Sequence, residues 1–258
     1  MSKKKFYSIG KTILTRYFVN ALGAMALGLF SSLIIGTILT QIFNLLGIAD
    51  LVFAKSIIEI TGARSPVVGA ALGVAIGYGL KAHPLAIYSA AAAGAIGYSI
   101  SAGGVSAGPV GAYIASVIGV EVGSFLAGKT KLDILVVPAV TILLGAAVGA
   151  LIGPPIAKFM LGTGELINQM TTLKPFPMGI AVSSLMGLIL TAPISSAALA
   201  IMMGLSGLAG GAATAGCCSH MVGFAVASYR ENKMAGLLSQ GLGTSMLQVP
   251  NIVRHPQI

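Results

Sequence analysis

Charged residues are scarce in this sequence of 258 residues. Asp and Glu number 6 and Lys and Arg 15, which makes the chain only 8% charged, whereas roughly a quarter is typical of soluble domains. Hydrophobic residues make up 56%. So little polar material cannot cover a surface that faces water, and a soluble domain is therefore excluded. The composition predicts an all-α, polytopic membrane protein that is surrounded by a lipid bilayer.

Cysteine is scarce as well. The two cysteines, Cys217 and Cys218, are adjacent, which excludes a disulfide framework and leaves no second pair for a zinc site. The sequence also lacks a Ser-His-Asp order, a zinc-protease motif and a pair of carboxylates on one helix. We therefore predict no cofactor, no metal site and no self-contained catalytic site.

The net charge of +9 is concentrated at the N-terminus. The basic residues that precede the first apolar run are Lys3, Lys4, Lys5, Lys11 and Arg16. Basic residues ahead of a first span mark the cytoplasmic side of a membrane. We predict a cytoplasmic N-terminus and no nucleic-acid partner, because this cluster is an orientation signal.

Apolar runs recur along the chain and predict about eight spans, each of about 20 residues. The first run, residues 18–46, is too long for a signal peptide and is interpreted as a retained span. Amphipathic stretches at residues 48–59 and 156–170 predict two interfacial helices. The second stretch follows a helix stop predicted at Pro154 and Pro155, and a kink is predicted at Pro193.

The order of a long span, an interfacial stretch and three spans occurs twice. It predicts a parallel repeat of residues 1–133 and 134–258 within a single domain of residues 1–258. Residues 204–218, rich in Gly and Ala, form part of a full span in this scheme. A re-entrant hairpin at the same place is the alternative, because it puts more basic residues on the cytoplasmic side.

Glycine is abundant, with 35 residues, and recurs in steps of four, as at Gly69, Gly73 and Gly77. Small residues on one helix face let backbones approach closely, so we predict a tightly packed bundle, with a glycine-lined pore as the alternative. Residues 123–130 match the phosphate-loop pattern letter for letter. They leave an apolar run and do not follow a strand, so we interpret them as the end of a helix.

Glu121 lies inside an apolar run, where an ionisable group is costly and therefore a functional candidate. Helical spacing puts Tyr113 and Ser124 on the same face. A carboxylate beside hydroxyls suits a polyhydroxy substrate or proton coupling. The alternative is a structural partner for a buried polar or basic group.

A second polar face is predicted in the last apolar run. Gln240, Thr244, Gln248 and Asn251 follow one another at spacings of four, four and three, on a helix face about 80° wide. Amides and hydroxyls offer donors and acceptors without charge, which suits a neutral sugar, whereas hydrogen bonding between packed helices is the alternative. His220 is a further candidate ligand, or else a satisfied interior histidine. The predicted substrate-binding residues are Glu121, His220, Gln240, Thr244, Gln248 and Asn251.

Four segments of the sequence carry a resemblance to a known family. They are TGARSP at residues 61–66, GPVGAY at 108–113, residues 217–233, and QGLGTSMLQVPN at 240–251. With them the chain resembles EIIC, the membrane component of bacterial phosphoenolpyruvate-dependent sugar phosphotransferase systems, and more narrowly a stand-alone EIIC-like family. The resemblance implies a homodimer in the inner membrane that binds a sugar near the midplane. It also implies cytoplasmic EIIB and EIIA partners, which supply the phosphoryl group.

The chain departs from that family in three respects. It has no fused EIIA or EIIB domain, and Thr163-Gly164-Glu165 is only a scrambled form of a signature of glucose-class members, so Glu165 is not assigned to sugar. The sequence ends directly after a span, where relatives continue, so we expect a truncated chain. A receptor or scaffold that has lost transport is the alternative function. A channel is the third, although it would need a continuous polar lining.

Overall fold

The computed structural model describes residues 12–192, 196, 200, 205–255 and 257. Lys3, Lys4, Lys5, Lys11 and Pro193 lie outside the described residues. Helix α1 covers Thr15–Leu45 and includes a π-helical stretch at Phe30–Ile34. The helices that follow are α2 (Val52–Thr61), α3 (Pro66–Gly79), α4 (Pro84–Ser99), α5 (Gly108–Leu126), α6 (Asp133–Thr171), α7 (Pro175–Thr191), α8 (Gly207–Ala227), α9 (Tyr229–Leu238) and α10 (Val249–Arg254).

Three of the described helices are long and apolar enough to cross a membrane, namely α1, α5 and α6. The pair α2 and α3, bent by 57°, gives a fourth if it counts as one span. The protein is thus an all-α membrane protein, as predicted, but the count of eight spans is not confirmed. The repeat of residues 1–133 and 134–258 stays a prediction.

The helix stop predicted at Pro154 and Pro155 is wrong. Helix α6 contains both prolines and runs for 39 residues, which is about 58 Å at 1.5 Å per residue. Packing outweighs the tendency of proline to end a helix, because Gly153 lies so close to the end of α4 that a Cβ there would be 2.5 Å from the side chain of Ile100, which follows that helix. The second interfacial helix, predicted for residues 156–170, is therefore the continuation of α6.

The hairpin considered for residues 204–218 has no turn within its described part, because residues 207–227 form the single helix α8. The structure also contains a β-hairpin that was not predicted from the sequence. Strands β1 (Ser101–Ala102) and β2 (Val105–Ser106) pair antiparallel between α4 and α5. Gly103 and Gly104 join them with φ of 60° and 80°, the positive values that a two-residue turn requires.

Two clusters of buried side chains hold the helices together. The first core cluster consists of Ala21, Leu22, Met25, Ala26, Leu29, Val68, Leu72, Ile76, Leu80, Ala90, Tyr98, Ala112, Val120, Met246 and Val249. The second core cluster consists of Met160, Ile167, Met178, Val182, Met186, Ile189 and Ala213. The first joins α1, α3, α4 and α5 to Met246 and Val249 near the C-terminus, whereas the second joins the later part of α6 to α7 and α8.

Glycine brings α3 and α4 into backbone contact within the first of these regions. A Cβ on Gly73 would lie 2.0 Å from the carbonyl oxygen of Ala90, and one on Gly94 would lie 2.3 Å from that of Gly69. These distances leave no room for any side chain. The tight packing predicted from the glycine spacing is confirmed here.

Ser116 of α5 is fully buried beside this contact, and its Oγ has no hydrogen-bond partner among the described residues. A buried hydroxyl without a partner costs about 1–3 kcal/mol. We expect Ser116→Ala to raise the free energy of unfolding by about 1 kcal/mol, measured by denaturant unfolding in detergent. The matched control is Ser89→Ala, which removes a hydroxyl that donates to the Leu85 carbonyl at 2.7 Å. A loss of stability in Ser116→Ala beyond that of the control would contradict the prediction.

Candidate functional site

A cavity of about 450 Å³ lies where α1 passes two interruptions of the helices. The first interruption is the bend between α2 and α3, and the second is the stretch between α9 and α10. The residues that line the cavity are Leu29, Leu33, Ile34, Thr37, Ile38, Thr40, Ile58, Thr61, Gly62, Ala63, Pro109, Leu190, Ser196, Leu242, Gly243, Thr244 and Met246. Its volume is within the roughly 300–1,000 Å³ range of small-molecule sites.

The first interruption is built by residues 62–65. Ser65 caps α3, because its side chain accepts a hydrogen bond from Val67 N at 3.3 Å, and Pro66 starts the helix. The Tyr98 hydroxyl of α4 donates to the Ala63 carbonyl at 2.7 Å and so holds the bend in place. Helix α1 comes close because Gly36 has no side chain, and a Cβ there would be 2.2 Å from Thr61.

The second interruption corrects the single helix predicted over Gln240, Thr244, Gln248 and Asn251. Ser239–Gly243 is π-helical, Thr244 is extended with φ −159° and ψ 141°, and Ser245–Gln248 is a 3-10 turn. Gly243 faces the Phe30 ring, where a Cβ would be 2.2 Å from Cε2. Glycine has a low helix propensity. The Thr244 side chain also competes with helical hydrogen bonding, because its Oγ1 accepts a hydrogen bond from Met246 N at 3.1 Å.

Hydroxyl groups supply most of the polar side-chain atoms in the cavity wall. Thr37 donates to the Leu33 carbonyl at 2.8 Å, and Thr40 and Thr61 likewise donate to carbonyls one turn earlier, at 2.8 and 2.7 Å. Each oxygen keeps lone pairs that can accept from a ligand hydroxyl. The described lining residues include no charged side chain. The site thus suits a neutral ligand with hydroxyl groups and an apolar face.

A chain of hydrogen-bonded side-chain amides crosses the second interruption. Asn251 Nδ2 donates to Gln248 Oε1 at 2.8 Å, and Gln248 Nε2 donates to Gln240 Oε1 at 2.8 Å. Gln240 Nε2 in turn donates to Ser228 Oγ at 3.0 Å. Gln240 and Gln248 are only 3% and 4% exposed. None of these three amide residues is among those that line the cavity.

His220 belongs to a second polar group, whose other members, Thr191 and Ser245, are buried. Its Nδ1 lies 3.1 Å from Thr191 Oγ1, which lies 2.8 Å from Ser245 Oγ. Gly187 makes space for the ring, because a Cβ there would be 2.5 Å from His220 Cδ2. The group connects α7 and α8 to the residue that directly follows Thr244.

Comparison with known families supplies the decisive observation. A family model described as "Phosphotransferase system, EIIC" matches residues 19–258. The chain belongs to this family. The resemblance found in the sequence is thereby confirmed, and the protein is an EIIC component of the phosphotransferase system. Searches of curated proteins and of solved structures each returned no significant match.

Of the residues predicted to bind substrate, Thr244 lines the cavity of this EIIC component, whereas Gln240, Gln248, Asn251 and His220 are not among its lining residues. Their roles toward a substrate stay predictions. Sequence reasoning missed Thr37 and Thr40 of α1, since two threonines three residues apart in an apolar run carry no distinctive signal. The bend at residues 61–66 coincides with a segment that carried the family resemblance, but nothing local showed that it faces a cavity.

Glu121 lies outside the cavity of the EIIC component. Arg16 Nε donates to Glu121 Oε1 at 2.7 Å, and the two side chains are 43% and 29% exposed. The Tyr113 hydroxyl donates to the Tyr17 carbonyl at 2.9 Å, and Ser124 Oγ accepts from His83 N at 3.2 Å. The polar face predicted on α5 thus contacts other groups of the protein. The contacts with Arg16 and Tyr17 join α1 to α5.

The segment that matches a phosphate loop donates its hydrogen bonds to a carboxylate of the protein itself. Gly128 N and Thr130 N donate to the Asp133 carboxylate, the latter at 3.1 Å, and the Thr130 hydroxyl donates to it as well. Residues 108–126 are helical, so no strand precedes the loop. The prediction that this segment is a helix end is confirmed.

Proposed function

We propose that this EIIC component binds an uncharged sugar in the 450 Å³ cavity, near the membrane midplane, and presents it to a cytoplasmic EIIB-type partner for phosphorylation. The family membership supports the sugar and the EIIB and EIIA partners. The chemistry of the wall supports an uncharged ligand, because threonine hydroxyls and backbone groups can pair with sugar hydroxyls. The phosphoryl group is supplied by the partner.

One observation carries the proposal, namely that two non-helical stretches meet at one cavity. In a membrane interior, irregular backbone is tolerated only where it is buried in protein or lines a cavity. Thr61 and Gly62 come from one stretch, and Gly243 and Thr244 come from the other. Two independent helix breaks at the same place are expected of a binding site.

The remaining parts of the proposal concern location and assembly. We propose an inner-membrane location, with the N-terminus in the cytoplasm because of the basic residues that precede residue 17. We also propose a homodimer, which the family resemblance supports. Cysteine labelling from each side of the membrane and mass measurement in detergent test these two points.

The function is tested first at Thr244. We expect Thr244→Val, which keeps the side-chain shape but removes the hydroxyl, to weaken sugar binding about tenfold, the effect of losing one or two hydrogen bonds. Thr244→Ser keeps the hydroxyl and is the matched control. Binding is measured by calorimetry and by thermal shift with glucose, galactose, N-acetylglucosamine and mannitol, since a ligand of the folded state raises its stability.

Two results would contradict the proposal. If Thr244→Val and the unchanged protein bind the sugars with equal affinity, the proposal that the cavity binds sugar is contradicted. Sugar binding without uptake into vesicles that contain EIIA and EIIB would favour a receptor or scaffold over a transporter.

A further inference from the structure

Thr244 is a residue of the cavity wall with an extended backbone. Its own N–H reaches the Ser239 carbonyl only at 3.3 Å, at the long end of a backbone hydrogen bond. Backbone outside a helix has few local bonds to fix it, so its position in a membrane protein depends on neighbouring groups. The described structure shows two such sets of groups.

The amide chain forms the first tether. Gln240 precedes Thr244 and Gln248 follows it, and the 2.8 Å bond between the two side chains closes a loop around Thr244. The loop is anchored at Ser228, where α8 ends, by the 3.0 Å bond from Gln240. The bonds run in one direction, from Asn251 to Ser228, so Gln240 and Gln248 each use both the donor and the acceptor of their amide.

The hydroxyl and imidazole group forms the second tether. Ser245 is fully buried and directly follows Thr244. Its Oγ lies 2.8 Å from Thr191 Oγ1, at the end of α7, and Thr191 is bonded in turn to His220 of α8. Leu190, the residue before Thr191, lines the cavity. This tether thus connects two parts of the cavity wall.

We propose that Gln240 and Thr191 are positioning residues, which hold Thr244 in the cavity wall without contacting the sugar. Neither is among the residues that line the cavity, although each is bonded to a residue of the 240–248 segment. Sites bind tightly when surrounding hydrogen bonds fix the residues that contact the ligand. The proposal rests on the proposed function, because it assumes that Thr244 contacts the sugar.

The test compares variants that keep the shape of each residue. Thr191→Val removes the hydroxyl, Thr191→Ser keeps it, and Gln240→Met removes both the donor and the acceptor of the side-chain amide. We expect Thr191→Val and Gln240→Met each to weaken binding of the four sugars named above about tenfold, the effect of a lost hydrogen bond with a buried partner. The sugars should keep their order of affinity, and Thr191→Ser should restore binding to within about threefold.

A double-mutant cycle separates positioning from other roles. In a Thr244→Val background, Thr191→Val should change the affinity less than about twofold, because coupled residues are not additive. If Thr244→Val alone does not change the affinity for sugar, the proposed function is overturned. A normal effect of Thr244→Val, with unchanged affinity in Thr191→Val and Gln240→Met, would overturn only the positioning role. A changed order of the sugars would overturn it in favour of direct contact.

Hydrogen exchange provides a readout that needs no sugar. We expect Thr191→Val and Gln240→Met to accelerate amide exchange in residues 243–247 about tenfold, with exchange in α4 unchanged, since local opening costs less free energy once a tether is lost. Unchanged exchange at residues 243–247 would overturn the inference even if all four sugars failed to bind. Faster amide exchange throughout the chain would also overturn the inference, because it would indicate a general loss of stability.

Discussion

Replacing Gly73 with Ala is expected to lower the free energy of unfolding by about 1–3 kcal/mol, the usual cost of overpacking. The added Cβ would lie 2.0 Å from the Ala90 carbonyl oxygen and 2.8 Å from its carbon. Those atoms belong to the backbone of α4, so no side-chain rotation can relieve the contact. Helices α3 and α4 would have to move apart. Denaturant unfolding in detergent measures the effect.

Gly223→Ala provides the control for this change. Gly223 also lies within a helix, α8, but a Cβ there would meet nothing within 4 Å. Alanine is the better helix former by about 1 kcal/mol, so this variant should be as stable as the unchanged protein or more so. Equal stability of Gly73→Ala and Gly223→Ala would contradict the close approach of α3 and α4.

Breaking the ion pair between Arg16 and Glu121 is the second large effect expected. Exposed pairs contribute about 0–1 kcal/mol, whereas breaking a buried pair costs about 3–5 kcal/mol. Because the two side chains are 43% and 29% exposed, we expect Glu121→Gln to lower the free energy of unfolding by about 1–3 kcal/mol. Glutamine keeps the shape and removes only the charge.

A double-mutant cycle with Arg16→Gln isolates the interaction. The two changes together should cost less than the sum of their separate effects, because either one already breaks the pair. Additive effects would show that the pair contributes nothing. Loss of sugar binding in Glu121→Gln, with normal binding in Arg16→Gln, would instead favour the substrate role predicted for Glu121 from the sequence.

Local patterns in the sequence determine much of this architecture. Scarce charge predicted a helical membrane protein, and the glycine spacing predicted the contact at Gly73. The match to a phosphate loop was recognised as a helix end, because a real loop needs a strand before it. In each case the signal lies in the composition or in a pattern of neighbouring residues.

The features that were missed depend on residues far apart in the chain. The bend before α3 is held by Tyr98, 35 residues beyond Ala63, and Ser245 is held by Thr191, 54 residues earlier. Helical periodicity carries no information about such partners. The prediction at Pro154 and Pro155 was wrong for the same reason, because packing of α6 against Ile100 outweighs the local preference of proline.

Those two prolines have a mechanical consequence for α6. The helix packs on α4 at Gly149 and Gly153, and beyond the prolines Met160 and Ile167 belong to the second core cluster. Proline has no N–H, so the carbonyls one turn before Pro154 and Pro155 lack their helical partners. The bending stiffness of α6 is therefore lowest between its two packing regions, and a relative rotation of these regions would meet the least elastic resistance there.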